Sequence, residues 1–124
     1  FYLDFAKDKI MAVEVRRIIL EQHEFQAVLN VYANLEDNDF PNGFVVGFEI
    51  EKEAPLEISV SLQLPNGEQL RIEIDETTIV EAIINFCIQT KIPVSRKSKK
   101  TANLNNGKIS CDMSLVNPSF TANL

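Results

Sequence analysis

The chain is poor in the residue types from which most catalytic and metal sites are built. Its 124 residues include a single histidine, His23, together with two cysteines and four glycines. Zinc sites need several nitrogen or sulfur ligands, and a cysteine nucleophile needs a nearby histidine, so both kinds of chemistry are disfavoured. No glycine-rich loop precedes a helical segment, which excludes a conventional phosphate-binding loop. The sequence predicts no catalytic residue, no metal site and no cofactor.

A disulfide scaffold and a membrane span are also disfavoured. Cys87 and Cys111 are too few for a disulfide-built secreted fold. Free cysteine is usually buried, so we expect two reduced thiols in the core. No apolar run approaches the roughly 20 residues that cross a bilayer, and the first residues lack the pattern of a signal peptide. These observations predict a soluble, cytoplasmic protein without a membrane partner.

The length and composition predict one ordinary globular domain. Hydrophobic residues make up 45% of the chain and charged residues 24%, the balance of a folded protein rather than a disordered one. A chain of this size buries roughly two-thirds of the surface that its unfolded form exposes, so it needs no disulfide or metal to fold. We expect a single α+β domain over residues 1–115. Residues 116–124 show no periodic pattern and are expected to form a loose tail.

Alternation of apolar and polar residues predicts a three-stranded antiparallel meander in the middle of the chain. Every second residue is apolar over 58–64 and again over 70–74, which is the period of a half-buried strand. The Pro-Asn-Gly sequence at 65–67 is typical of a tight hairpin turn. A further strand is predicted over 44–51, followed by a loop over 52–55. Its alternation puts four apolar residues on one face: Phe44, Val46, Phe48 and Ile50.

The period then changes to that of a helix over 76–91. Asp75 or Thr77 is a suitable N-cap, and Lys91 suits the negative end of the helix dipole. Pro93 is expected to stop the helix, because proline disfavours helical geometry in the residue before it.

The apolar residues of this helix wrap most of its circumference. A surface helix usually buries one face, so the pattern predicts burial on nearly all sides. Either the N-terminal helices of the same chain or a second chain would supply the cover. If a second chain does so, Ile84 and Ile88 are the predicted interface residues.

Two further segments complete the predicted fold. A C-terminal hairpin is expected over 102–115 around the Asn-Asn-Gly turn at 105–107. The spacing of apolar residues over 11–35 favours two helices, or one broken near His23, although 27–35 also alternates as a strand would. The expected α+β fold is therefore an antiparallel meander plus a C-terminal hairpin packed against a buried helix, with an N-terminal helix or helices.

Charge is divided unevenly along the chain. Residues 1–90 carry six basic and seventeen acidic side chains, a net charge of -11, whereas residues 91–124 carry six basic and one acidic, a net charge of +5. Such asymmetry indicates an anionic partner or self-association. The predicted binding residues for an anionic partner are the cations of the 91–100 segment: Lys91, Arg96, Lys97, Lys99 and Lys100.

The acidic loop over 36–43 matches a calcium-binding loop only in part. Asp37 and Asp39 stand two residues apart, as the first two ligands of such a loop do. Pro41 then occupies the third ligand position, and Phe48 occupies the position of the closing glutamate. Turn-forming chemistry accounts for these residues without a metal.

Three functions from different classes follow from these patterns. The leading hypothesis is a non-enzymatic protein-interaction module that self-associates or recognises a protein partner, based on the apolar helix and the divided charge. The alternative is phosphate or nucleic-acid binding through the 91–100 segment, which the acidic remainder and the lack of aromatic residues between Cys87 and Val116 disfavour. The second alternative is a carboxylate-dependent enzyme, which requires a concave pocket holding carboxylates with shifted pKa values.

Overall fold

The computed structural model describes residues 12–35 and 40–117, which form two helices and six strands. The strands form two antiparallel three-stranded sheets, ordered β1-β6-β5 and β2-β3-β4. This arrangement confirms the predicted α+β class. The elements in chain order are β1 (Ala12–Leu20), α1 (Gln22–Ala33), β2 (Phe44–Glu53), β3 (Leu56–Gln63), β4 (Gln69–Ile74), α2 (Glu76–Gln89), β5 (Lys99–Asn105) and β6 (Lys108–Asn117).

The predicted meander is the β2-β3-β4 sheet. The β3-β4 turn has Gly67 at a φ of 88°, a conformation that glycine adopts without strain, and the Gly67 N–H donates to the Leu64 carbonyl at 2.9 Å. The Asn66 side chain accepts a hydrogen bond from the Glu68 N–H at 3.0 Å. β2 runs further than predicted, so its connection to β3 is the pair at 54–55 rather than a loop over 52–55.

Irregular pairing in β2 overturns its predicted alternation. Val46 is an extra residue relative to β3, and a second irregularity follows Ile50. A bulge of this kind reverses which side chains face the core. Val45 is therefore fully buried, while Phe44 and Val46, both predicted on the core face, are exposed. Of the predicted face, Phe48 and Ile50 pack against the core.

The second sheet contains the C-terminal hairpin and a strand that the sequence patterns missed. Asn106 and Gly107 form the two-residue turn with φ values of 51° and 78°, as the Asn-Gly pattern predicts. The helix predicted over residues 12–20 is wrong. This segment is β1, which pairs with β6 along its whole length, and such pairing outweighs local helical spacing. The helix begins at Gln22, after the junction at Glu21.

β6 continues to Asn117, two residues into the segment predicted as a loose tail. Residues 118–124 lie outside the described part of the chain, as do Asp37 and Asp39 of the acidic loop. The domain boundary at 115 therefore stays a prediction.

α2 begins where the sequence predicts. Asp75 is its N-cap, and the Asp75 carboxylate accepts a hydrogen bond from the Thr78 N–H at 3.0 Å. Burial on nearly all sides, however, is wrong for the single chain. One face is buried and carries Ile79 and Ile83, whereas Ile88 is 66% exposed. Neither described helix is long and apolar enough to span a membrane.

Side chains from both sheets and both helices share one core. α1 packs along β2 and against α2, and α2 also packs on β5. Phe25 of α1 lies edge-on to Phe48 of β2, with ring centroids 5.1 Å apart. Cys87 and Cys111 are fully buried and unbridged, which confirms the predicted burial of two free thiols.

Candidate functional site

A groove of about 730 Å³ runs between α2 and the chain segment that follows it. α2 supplies one wall, which consists mostly of branched apolar side chains. The segment over 94–100 supplies the other wall and contributes both cations of the site. We refer to this site as the α2 groove and define it by the residues that line it: Val80, Glu81, Ile84, Asn85, Ile88, Val94, Arg96 and Lys100.

The end of α2 sets the direction of the second wall. Lys91 adopts a left-handed conformation with a φ of 61°. Its N–H donates to the Ile88 carbonyl at 3.2 Å, and the Ile92 N–H donates to the Cys87 carbonyl at 2.8 Å. These are the two hydrogen bonds of a Schellman motif, which ends a helix and turns the chain away from its axis. The turn brings the 94–100 segment alongside the apolar side of α2.

A short turn over 95–98 holds the basic segment in place. The Ser98 hydroxyl donates to the Ser95 carbonyl at 2.8 Å. The Lys100 ammonium donates to the carbonyls of Ser95 and Ser98 at 2.8 and 3.0 Å. From β1, the Arg16 guanidinium donates to the Pro93 carbonyl. Lys100 therefore uses much of its hydrogen-bonding capacity to shape its own loop.

Arg96 is the more available cation of the groove. Its side chain is exposed, and the described residues offer it no hydrogen bond or ion pair. It lies on the rim opposite the α2 wall, so an acidic group bound in the groove would meet it directly.

The α2 wall presents apolar surface to solvent. Val80, Ile84 and Ile88 lie four residues apart and therefore form one stripe along the helix. Val80 and Ile84 are partly buried, and Ile88 is the most exposed of the three. Contiguous apolar surface inside a concave site, rimmed by charge, is typical of a binding surface.

Asn85 adds a polar group to this wall. Its Nδ2 atom is buried and has no hydrogen-bond partner among the described residues, while its Oδ1 accepts a hydrogen bond from the Gln89 side chain at 3.4 Å. An unpaired buried donor is costly, because it has lost water without gaining an acceptor. Because this atom has almost no exposed surface, a ligand would reach it only after rotation of the Asn85 side chain.

The structure brings together only part of the predicted site. Ile84, Ile88, Arg96 and Lys100 all line the α2 groove. Lys91 instead forms the left-handed end of α2. The remaining two cations, Lys97 and Lys99, are exposed outside the lining.

The other lining residues were not singled out by the sequence patterns. Val80 shares the four-residue spacing of Ile84 and Ile88, so that spacing was the available signal. Glu81 and Asn85 belong to the narrow polar stripe of the helix, and only its burial distinguishes Asn85. Val94 carried no signal, because its place opposite α2 depends on the turn after the helix.

Among the described residues, the carboxylates with shifted pKa values lie outside the groove. Hydrogen bonds from Ser59 and Arg71 lower the pKa of Glu51, which is exposed on the β2-β3-β4 sheet. Capping hydrogen bonds from Thr78 lower the pKa of Asp75. The carboxylate that does line the groove, Glu81, accepts a hydrogen bond from the Tyr32 hydroxyl at 2.9 Å. Both shifts are thus explained by structural hydrogen bonds.

The thiols are held in their neutral form. Burial raises the pKa of Cys111 to about 11, and the neighbouring Cys87 contributes to the shift. Burial also raises the pKa of Cys87. His23, by contrast, is exposed on α1. A buried, protonated thiol is a poor nucleophile, so the arrangement suits packing rather than covalent chemistry.

No family model, curated protein or solved structure matches this chain. The geometry of the α2 groove is therefore the basis on which a function is assigned.

Proposed function

We propose that this protein is a non-enzymatic protein-interaction module that docks an acidic, amphipathic segment of another protein in the α2 groove. The observation that carries the proposal is the pairing of an exposed apolar stripe, ending at Ile88, with Arg96 on the opposite rim. A segment with apolar residues on one side and carboxylates on the other would satisfy both walls.

The dimensions of the groove limit the size of the docked segment. Val80 and Ile88 are eight positions apart on a helix that rises about 1.5 Å per residue, so the apolar wall is about 12 Å long. That length suits roughly two turns of an amphipathic helix with anchors at positions i and i+4. Because such a contact is small, we expect weak binding, on the order of micromolar.

Nucleic-acid binding is the competing proposal, and the groove supports it less well. Arg96 and Lys100 are the cations of its lining, and Lys100 is already bonded to its own loop. None of the lining residues is aromatic, so bases would find no stacking partner there.

We propose a cytoplasmic location for the docking module, because two buried thiols without a bridge suit a reducing compartment.

Selection from a displayed peptide library tests the proposal even though the partner is unidentified. We expect the protein to enrich peptides that combine acidic residues with apolar residues four apart. Ile88→Asp and Arg96→Glu should each lower the affinity for the selected peptide by about tenfold or more. Lys97→Glu makes the same charge reversal outside the lining and should change affinity by less than about threefold.

A single-stranded oligonucleotide provides the opposing measurement. Tighter binding of the oligonucleotide than of any selected peptide would favour nucleic-acid binding over peptide docking. A steep fall of log affinity with log salt would support nucleic-acid binding further. So would loss of binding when glutamine replaces Arg96, Lys97, Lys99 and Lys100. If peptides are enriched equally by the protein and by the Ile88→Asp variant, the α2 groove is not the docking site.

A further inference from the structure

β1 is an edge strand with an apolar outer face. β6 pairs with one edge of β1, and within residues 12–35 and 40–117 no strand pairs with the other. Three β-branched residues on alternate positions of β1 are well exposed: Val13 at 63%, Val15 at 69% and Ile19 at 53%. A long edge with exposed apolar side chains is a ready template for another strand.

Side chains cover the outer edges of β5 and β2, which are two of the other three edge strands. On β5, the Ala102 N–H donates to the Glu76 carboxylate at 2.9 Å. On β2, the Asn30 side chain bonds both backbone groups of Val45. β1 has no comparable cover among the described residues, and its pairing with β6 shows no bulge that would twist it away from a partner.

We propose that β1 is the seam of a homodimer, in which two copies pair β1 with β1 in antiparallel orientation. The two β1-β6-β5 sheets would then form one continuous six-stranded sheet about a two-fold axis. The proposal concerns a different surface from the α2 groove and does not rest on what that groove binds.

The charges of β1 favour one register. Cross-strand neighbours must lie on the same face of the sheet, so the two-fold axis must pass through a residue of the strand. An axis at Glu14, Arg16 or Arg17 would place that residue opposite its own copy and set like charges together. An axis at Val15 instead places Glu14 opposite Arg16 of the partner subunit, and symmetry repeats this pair.

The same register joins the apolar surface of the two copies. Val15 would face Val15 of the partner subunit across the axis, and Val13 would face the aliphatic part of Arg17 of the partner subunit. Arg17 keeps its ion pair with Asp112 of its own chain, at 2.7 Å. The Arg16 guanidinium is already held by the Pro93 carbonyl, so less side-chain freedom is lost on pairing.

Sedimentation velocity of the full chain, from about 1 to 100 µM, measures the assembly. We expect a dimer for the unmodified protein and a monomer for Val15→Lys, which sets two cations against each other at the axis. Ile88→Lys introduces the same charge at another exposed apolar position, on α2, and should leave the dimer intact. Circular dichroism melts confirm that both variants are folded.

A charge exchange tests the register. Glu14→Arg and Arg16→Glu should each weaken the dimer by about tenfold or more, and the double variant should restore most of the loss. A monomer at about 100 µM, the top of the range that sedimentation covers, would overturn the proposal. So would a dimer that survives Val15→Lys but not Ile88→Lys, or a double variant no better than the single ones.

Discussion

Asn30 of α1 hydrogen bonds both backbone groups of Val45 in β2. The Val45 N–H donates to Asn30 Oδ1 at 2.7 Å, and Asn30 Nδ2 donates to the Val45 carbonyl at 3.3 Å. Gln26 donates to the same carbonyl, also at 3.3 Å. A helix side chain thus takes the place of a neighbouring strand, at a position where Val45 is fully buried. This contact attaches α1 to the edge of the β2-β3-β4 sheet.

Removing the Asn30 amide should therefore destabilise the fold. In Asn30→Ala the Val45 N–H loses its partner, and we expect the free energy of unfolding to fall by about 1 to 3 kcal/mol. Urea unfolding followed by circular dichroism measures this change. Gln26→Ala is the matched control, because it removes only a second bond to a carbonyl that Asn30 still satisfies, and should cost less than about 1 kcal/mol. Equal losses in the two variants would show that Asn30 has no special role.

The N-cap of α2 should contribute stability that depends on pH. Asp75→Ala should lower the free energy of unfolding by about 1 kcal/mol at neutral pH, because the Thr78 N–H loses its acceptor. Asp75→Asn preserves the cap and should be close to the unmodified protein there. The pKa of Asp75 is lowered in the folded state, so its ionic contribution is present above the unfolded pKa of about 3.9 and is lost as the pH falls through the folded value.

Unfolding measured from neutral to acid pH checks this expectation. The difference in stability between the unmodified protein and Asp75→Asn should shift against the unmodified protein in acid. A difference that stays constant across the range would contradict the assignment of a lowered pKa to Asp75.

The two buried thiols should be unreactive until the protein unfolds. Cys87 and Cys111 are fully buried, and burial raises both pKa values, so little thiolate is available at neutral pH. We expect an aromatic disulfide reagent to label neither residue in the native state and both in denaturant. Cys87→Ser should cost about 1 to 3 kcal/mol, since it buries a hydroxyl, and Cys87→Ala separates that cost from the loss of volume. Rapid native labelling would contradict the burial.

The raised pKa of Cys111 also fixes the sign of an alkaline effect. Its folded pKa of about 11 exceeds the roughly 8.5 of an unfolded thiol. The stabilising contribution is complete below the unfolded pKa and is lost as the pH rises towards the folded value. Stability should therefore fall above about pH 8, and Cys111→Ala should show a smaller fall. An equal fall in both proteins would assign the effect to other groups.

Replacing Lys91, the left-handed residue at the end of α2, with glycine should stabilise the protein. Lys91 bears the steric cost of a Cβ at positive φ, a conformation that glycine adopts freely. Lys91→Gly should raise the free energy of unfolding by about 0.5 to 1 kcal/mol in urea titrations. Lys91→Ala removes the same charge but retains the Cβ, so it should give no gain. If glycine and alanine behave alike, charge rather than backbone conformation governs this position.

Elements with local signals were predictable from the sequence. α2 carries its own N-cap at Asp75, and each hairpin carries its own turn residues, at 65–67 and at 106–107. Capping and turn chemistry act between residues a few positions apart, so they operate before the rest of the fold is in place. The division of charge was equally visible, and it singled out the 91–100 segment.

Elements defined by distant contacts were not predictable in the same way. Residues 12–20 have helical spacing but form β1, because β6, near the other end of the chain, offers a complete set of strand partners. Val45 is buried instead of Val46 because β2 bulges against β3, and no local pattern reports that irregularity.

The sequence by itself therefore determined the α+β class, α2, the two hairpins and the two candidate residue sets, apolar Ile84 and Ile88 and the cations of 91–100. Only the tertiary structure decided that these sets meet in one groove, with Arg96 and Lys100 inside and Lys97 and Lys99 outside. The physical reason is that the Schellman turn at Lys91 and the packing of β5 against α2 decide which residues line the groove. Those contacts fix the path of the chain in three dimensions, which composition and periodicity do not specify.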